Sequence, residues 1–128
     1  MTDEKITEKK IILAVDDTQS NLQIIQGVLG KEFELRLAKS GNMALMALDR
    51  VVPELILLDI EMPGMSGFDV MDTISRKPHL KEIPVIFVTS HASKEFVTEA
   101  QARGAKDYVV KPFDPDVLRN KVHKALGL

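Results

Sequence analysis

The sequence contains no cysteine, which excludes disulfide bonds, thiolate metal sites and cysteine nucleophiles. Its apolar runs are too short for a membrane span, and its first residues lack the apolar segment of a secretory signal. Neither charge dominates, because 17 Lys and Arg face 19 Asp and Glu, for a net charge of -2. Such a balance gives no global attraction to nucleic acid or anionic lipid. We therefore expect a cytoplasmic protein with no direct nucleic-acid or membrane partner.

The length and composition predict one folded domain. A chain of 128 residues is long enough to bury a core without a structural metal, and its 45% hydrophobic and 28% charged residues are typical of globular proteins. The polar N-terminus predicts a flexible tail over residues 1–9, followed by a single domain over residues 10–128. No output domain is visible in this sequence.

Two kinds of apolar segment alternate along the chain. Short continuous or alternating runs predict strands at residues 11–15, 33–38, 55–58, 85–88 and 108–110. Apolar residues at helical spacing follow each run, and Asp114 before Pro115 is a strong start for the last helix. Five strand-then-helix units predict an α/β fold, in which helices cover both faces of a parallel sheet.

Five polar residues directly follow or end these strands: Asp16, Asp17, Asp59, Thr89 and Lys111. Ligands of open α/β sheets bind outside the carboxyl ends of the strands, so these residues share the edge where a site is expected. If the first and third strands are neighbours, three carboxylates converge without an obligate local cation. Their repulsion then requires a bound cation or proton uptake. Oxygen ligands favour Mg²⁺ or Mn²⁺, and no histidine adjoins the three acids to suggest zinc.

Lys111 and Thr89 would complete a site for a phosphoryl group. Lys111 precedes Pro112, a pairing that can adopt a cis peptide bond and so direct the lysine side chain. A lysine aimed at the acids would neutralise an incoming anion, and a Thr89 hydroxyl opposite Asp59 would donate to it. Simpler interpretations remain open: Asp17 as a helix cap, Lys111 as a solvated surface charge, and Thr89 as an ordinary strand residue.

Four parts of the sequence together resemble the receiver domain of bacterial response regulators, the CheY-like superfamily. They are the pair Asp16-Asp17 and the segments LLDIEMPGMSGFD, PVIFVTS and GAKDYVVKPF. The similarity extends from about residue 11 to residue 126. It implies a flavodoxin-like five-stranded parallel sheet of order 2-1-3-4-5, flanked by five helices.

The resemblance also implies a role for each site residue. Asp59 would accept a phosphoryl group from a histidine kinase or a histidine phosphotransfer protein, as part of a two-component phosphorelay. Mg²⁺ would be held by Asp16, Asp17, Asp59 and the backbone carbonyl of Glu61. Thr89 and Lys111 would contact the phosphoryl oxygens. Such a domain is not a conventional enzyme, since it catalyses only its own phosphorylation and dephosphorylation.

A conformational switch is implied by the same resemblance. Thr89 would move toward the phosphoryl group, and the ring of Tyr108 would fill the vacated space. This alters the surface of the fourth helix, fifth strand and fifth helix, which regulates an effector protein or an output domain. The alternative is that Tyr108, the only tyrosine, simply packs at a strand edge.

Glu61 and His91 are expected to set the lifetime of the phosphorylated state. Each lies two residues beyond a site residue, Glu61 after Asp59 and His91 after Thr89. A carboxylate beside the phosphorus would orient an attacking water, whereas an imidazole would obstruct it. The alternative is that both side chains point to solvent and neither affects the rate.

Three other functions are weighed against the receiver. A phosphatase of the haloacid dehalogenase type needs a second Asp two residues after its nucleophile, where this sequence has Glu61. A nucleotide or flavin binder needs a glycine-rich turn after the first strand, where this sequence has Asp16 and Asp17. A degenerate receiver, acting only by protein contact, would have no need to keep all five strand-end residues.

Overall fold

The structure is a computed structural model that describes residues 9–128. Its elements are β1 (Ile11–Val15), α1 (Gln19–Leu29), β2 (Glu34–Ala38), α2 (Gly41–Leu48), β3 (Leu55–Asp59), α3 (Gly67–Ser75), β4 (Val85–Thr89), α4 (Lys94–Ala102), β5 (Asp107–Val110) and α5 (Pro115–Leu126). The strands form one parallel sheet in the order β2-β1-β3-β4-β5, which confirms the predicted fold and strand order. The predicted tail, residues 1–9, lies outside the described residues except for Lys9.

The central strands are apolar on both faces because both faces are covered. Every residue of β3 and β4 is buried. Side chains alternate across a strand, so in β3 Ile56 and Leu58 enter one core while Leu55 and Leu57 enter the other. The apolar run at residues 55–58 therefore predicts a strand with no solvent-facing side.

The helices form a layer on each face of the sheet. Helices α1 and α5 pack on one face through Leu22, Ile25, Leu29, Leu118 and Val122. Helices α2, α3 and α4 pack on the other through Ala44, Leu48, Val70, Met71, Ile74 and Ala100. Burying one such leucine or valine contributes about 1.5–3 kcal/mol, so these two cores are the main stabilising contribution of the fold. Each helix in the described range 9–128 is too short or too polar to traverse a bilayer.

Side chains cap the helices that lead away from the functional edge of the sheet. Ser66 and Asp69 form a capping box at the start of α3, each side chain bonding the backbone N–H of the other. Asp114 accepts hydrogen bonds from the backbone of residues 116 and 117, and Pro115 is the first residue of α5. The predicted start of the last helix is confirmed. These caps mark where the loops that follow β3 and β5 end and the helices begin.

The region around β2 and α2 differs from the prediction. The spacing of apolar residues predicts a second helix that includes Val51, but α2 ends at Leu48. The Asp49 N–H donates to the Met46 carbonyl, a three-residue bond that tightens the last turn and ends the helix. Leu37, on the edge strand β2, is 42% exposed.

Candidate functional site

Three carboxylates lie together at the carboxyl ends of β1 and β3. Val15 pairs with Leu58, so Asp16 and Asp59 follow side by side at the ends of neighbouring strands. Asp16 and Asp59 are 0% and 1% exposed, while Asp17 is exposed. One oxygen from each of the three carboxylates lies within 4.8 Å of the others. The predicted convergence of the acids is therefore confirmed.

Backbone and amide donors orient the two buried carboxylates. Asp16 Oδ1 accepts hydrogen bonds from the Thr18 N–H at 2.9 Å and from Asn21 Nδ2 at 3.5 Å. Asp59 Oδ1 accepts one from the Glu61 N–H at 3.3 Å. Thr18 is the N-cap of α1, but its side chain makes no capping bond. These bonds occupy one oxygen of each acid and leave the other, Oδ2, without a neutral donor.

Lys111 lies between these two free oxygens. Its Nζ is 2.9 Å from Asp16 Oδ2 and 3.3 Å from Asp59 Oδ2, and its side chain is only 14% exposed. Lys111 therefore lies where a lysine aimed at the acids was expected, and its nearly buried side chain does not fit the alternative of a solvated surface charge. The strand order places β5 two strands from β3, a distance that the long lysine side chain spans. The predicted cis peptide bond between Lys111 and Pro112 is present.

The cluster raises the pKa values of Asp59 and Lys111. Burial, and after it the negative charge of Asp16, raise the pKa of Asp59 to about 7, although the nearby Lys111 ammonium acts in the opposite direction. Burial acts to lower the pKa of Lys111, but its contacts with Asp16 and Asp59 outweigh that effect and hold the pKa above its ordinary value. Lys111 is therefore a permanent cation, and one positive charge faces three carboxylates.

The donor set fits a hard divalent cation. Asp16 Oδ2 and Asp59 Oδ2 are buried, and neither accepts a hydrogen bond of good geometry. Their contact with Lys111 is an ion pair. A buried oxygen without a partner is unfavourable by about 1–3 kcal/mol. With Asp17 these oxygens form an all-oxygen cluster of the kind that Mg²⁺ prefers.

Thr89 is close to the acids but is not aimed at them. Its hydroxyl donates to the His91 carbonyl and accepts from the His91 N–H, both at 2.9 Å. The sheet register pairs Asp59 with Val88, so Thr89 lies one residue further along the edge. In this structure the loop backbone takes up the Thr89 hydroxyl, so its donation to a phosphoryl group stays a prediction.

Glu61 and His91 contact each other. His91 Nδ1 lies 2.9 Å from Glu61 Oε2, which joins the loop after β3 to the loop after β4. Both side chains are more than a third exposed, at 62% for His91 and 44% for Glu61. The sequence places each of them two residues from the site but contains no indication that they form a pair.

Tyr108 lies on β5, an edge strand of the sheet, and is half-buried. The ammonium of Lys121, on α5, lies 4.9 Å from the centre of its ring and donates to its carbonyl. The sequence contains no indication of this role for Lys121, because a lysine on a predicted helix has no visible partner until β5 and α5 are packed together.

Gly67 is a second residue whose role depends on packing that the sequence does not show. A Cβ atom added there would collide with the carbonyl oxygen of Asp59, so only glycine allows the start of α3 to lie against that strand end. The Gly67 N–H donates to the Ile60 carbonyl at 2.9 Å, which fixes this contact. A glycine immediately after the N-cap Ser66 was the available indication.

Comparisons with known proteins agree with this geometry. A family model described as the response regulator receiver domain matches residues 12–123. A Vibrio cholerae protein named probable cyclic di-GMP phosphodiesterase is 39% identical over 115 residues, which are 90% of this chain and 26% of that protein. Response regulator PleD of Caulobacter vibrioides is 35% identical over 112 residues, or 87% of this chain and 25% of PleD. The chain thus spans about a quarter of the length of these curated relatives.

A solved structure gives the same result. The chemotaxis protein CheY4 of Vibrio cholerae aligns with a TM-score of 0.89 at 30% identity, covering 93% of this chain and all of that one. The family match covers most of the described residues, and the strand order agrees with it. The chain therefore belongs to the response regulator receiver domain family of two-component systems.

Proposed function

We propose that this receiver, residues 10–128, accepts a phosphoryl group on Asp59 in a Mg²⁺-dependent reaction and thereby switches a partner or output domain. One observation carries the proposal. The buried Oδ2 atom of Asp59 has no hydrogen-bond partner, and the Lys111 ammonium 3.3 Å away also contacts a second carboxylate, Asp16. A nucleophile in this position has the Lys111 ammonium nearby to bind an incoming anion. It also has a neighbouring carboxylate, Asp16, that can bind the same metal ion.

The positive charges of the site favour the transfer of a phosphoryl group to Asp59. A carboxylate and a phosphoryl group repel each other, so the reaction needs positive charge placed beforehand. Mg²⁺, held by Asp16, Asp17, Asp59 and the Glu61 carbonyl, would neutralise the oxygens of the phosphoryl group. Lys111 binds a further phosphoryl oxygen, and Asp59 Oδ2 forms the new bond to phosphorus as the bond to the donor's leaving group breaks. In this way the chain catalyses its own phosphorylation and dephosphorylation.

The switch begins at Thr89. A phosphoryl group on Asp59 adds up to about two negative charges and strong acceptor oxygens beside this hydroxyl. Thr89 exchanges its bonds to the His91 backbone for one to the phosphoryl group, and the Tyr108 ring occupies the space that it leaves. The surface formed by α4, β5 and α5 changes as a result.

The partners follow from the chemistry and from the relatives. The phosphodonor is a histidine kinase or a histidine phosphotransfer protein. The names of the relatives include a response regulator and a probable phosphodiesterase, each more than three times the length of this chain. The receiver therefore regulates either an output domain or a separate effector protein.

The proposal is tested with a small-molecule phosphodonor, in the presence of Mg²⁺ or of a chelator. Intact-mass analysis is expected to find one added phosphoryl group with Mg²⁺ and essentially none with the chelator. Equal incorporation in the two samples would contradict a metal-dependent reaction.

Mg²⁺ is expected to raise the melting temperature of the unphosphorylated chain. It relieves the repulsion among Asp16, Asp17 and Asp59, and a ligand at one hundred times its Kd stabilises the folded state by about 2.7 kcal/mol. Asp17→Asn is expected to weaken the response to Mg²⁺ while itself relieving some repulsion. Asp49→Asn, an exposed acid at the end of α2, is the matched control. A lower-melting Asp17→Asn with an unchanged response to Mg²⁺ would contradict the assignment.

Glu61 and His91 are expected to affect dephosphorylation in opposite directions. Glu61→Ala removes a carboxylate that orients water and slows the decay by up to about 100-fold, the lower end of the effect of positioned acid–base groups. His91→Ala removes an obstruction and hastens the decay. Since the two side chains are in contact, the double variant is expected to depart from the product of the single effects. The measurement is the loss of phosphorylated protein after donor removal at saturating Mg²⁺, and three equal decay rates would refute this role.

A further inference from the structure

At Tyr108, side chains satisfy the backbone groups on the free edge of β5. The Lys111 N–H donates to the Thr89 carbonyl at 2.8 Å, so within β5 the backbone groups of Asp107 and Val109 face β4 and those of Tyr108 face outward. Both outward groups nevertheless have partners. The Tyr108 N–H donates to Asp107 Oδ1 at 2.8 Å, and the Tyr108 carbonyl accepts from Lys121 Nζ at 2.6 Å.

One ammonium group makes three contacts at this edge. Besides the Tyr108 carbonyl, Lys121 Nζ lies 3.2 Å from Asp107 Oδ1 and 4.9 Å from the centre of the Tyr108 ring. The ion pair is partly withdrawn from solvent, with side chains 31% and 29% exposed. A cation within about 6 Å of an aromatic ring attracts its face, and more so when water is partly excluded. Lys121 therefore holds the backbone and the ring of Tyr108 together.

We propose that Lys121 is a positioning residue for Tyr108, which it keeps, together with Asp107, in the ring orientation seen here. We call the ion pair of Lys121 and Asp107 the β5 clasp. The proposal rests on the proposed role of Tyr108 as the switch. A ring that follows Thr89 inward leaves the ammonium of Lys121, so the clasp favours the resting orientation. Loss of the ring contact is expected to change the ratio of the two ring orientations about twofold to fivefold.

The helix that carries Lys121 also supplies a control. Lys124 lies one turn along α5 and lines the same shallow groove beside Asp107. Within residues 9–128 it makes no hydrogen bond or ion pair to Tyr108 through its side chain. Lys121→Met and Lys124→Met therefore remove the same charge from the same helix, and only the first removes the clasp.

The test uses the single tyrosine of the chain as a probe. Biosynthetic incorporation of 3-fluorotyrosine gives one ¹⁹F resonance, from Tyr108, because the sequence contains no other tyrosine. The resonance is recorded for the unphosphorylated wild type, Lys121→Met, Lys124→Met and Lys121→Arg. We expect Lys121→Met to move it toward its position in phosphorylated wild type, Lys124→Met to leave it unchanged, and Lys121→Arg to keep it near the wild-type position.

Two outcomes separate the clasp from the switch. If the resonances of Lys121→Met and Lys124→Met coincide with that of the unphosphorylated wild type, the clasp is refuted. If the wild-type resonance does not move when phosphodonor and Mg²⁺ are added, the switch role of Tyr108 fails. The comparison of the two methionine variants without donor decides the clasp in either case, since it requires no phosphorylation.

Discussion

Lys111→Met is expected to slow the phosphorylation of Asp59 by about 10²–10³-fold, the loss typical of removing one preorganised charge or donor from a transition state. The side chain is nearly buried, and its ammonium lies within 3.3 Å of both Asp16 and Asp59. No other lysine or arginine within residues 9–128 contacts these two carboxylates. Methionine keeps most of the side-chain volume, so the change removes charge rather than packing.

The rate is measured as the increase of phosphorylated mass with time, at saturating donor and Mg²⁺. Mg²⁺ binding is expected to persist in the Lys111→Met variant, because the substitution removes a cation that competes for Asp16 and Asp59. Lys106→Met, on the chain just before β5 and exposed, is the control for loss of a positive charge. If both variants react as fast as wild type, Lys111 has no part in the transfer.

Without metal, Asp59→Asn is expected to be more stable than wild type at about pH 8, and the difference should shrink toward about pH 5. The pKa of Asp59 is about 7 in the folded chain, against an ordinary value of 3.8. The folded state therefore binds the proton more tightly than the unfolded state. The stabilising effect of this proton is complete below the unfolded pKa and is lost as pH rises through the folded pKa.

The magnitude follows from the same shift. Each pKa unit corresponds to about 1.4 kcal/mol, and about two units separate pH 5 from the folded pKa, so the loss between pH 5 and pH 8 is up to about 3 kcal/mol. Asparagine has no proton to lose and no charge to repel Asp16. The free energy of unfolding is measured by denaturant melts in chelator at both pH values, with Asp49→Asn as the control. An unchanged pH dependence in Asp59→Asn would show that Asp59 is not the titrating group.

The fold and the position of the site were predictable because they depend on patterns along the chain. Continuous apolar runs such as residues 55–58 are typical of strands covered on both faces, and acids that end neighbouring parallel strands lie at one edge of the sheet. The convergence of Asp16, Asp17 and Asp59 was expected for this reason, and the structure confirms it.

The contacts within the site were not predictable because they depend on side-chain conformation and on packing between distant segments. Thr89 has a choice between the loop backbone and the acid cluster, and the sequence does not indicate which one the hydroxyl takes. The Lys111 ion pairs join the ends of three strands, β5, β3 and β1, and the contact of Glu61 with His91 joins two loops. The helix end at Leu48 depended on backbone bonds that the spacing of apolar residues does not encode.

The most direct test of the central claim compares wild type with Asp59→Asn after exposure to the same small-molecule phosphodonor and Mg²⁺. Intact-mass analysis is expected to find one added phosphoryl group on wild type and none on Asp59→Asn. The variant keeps nearly the size and shape of the side chain and removes only the nucleophilic carboxylate. Equal labelling of the two proteins would contradict Asp59 as the acceptor and, with it, the function proposed for the site.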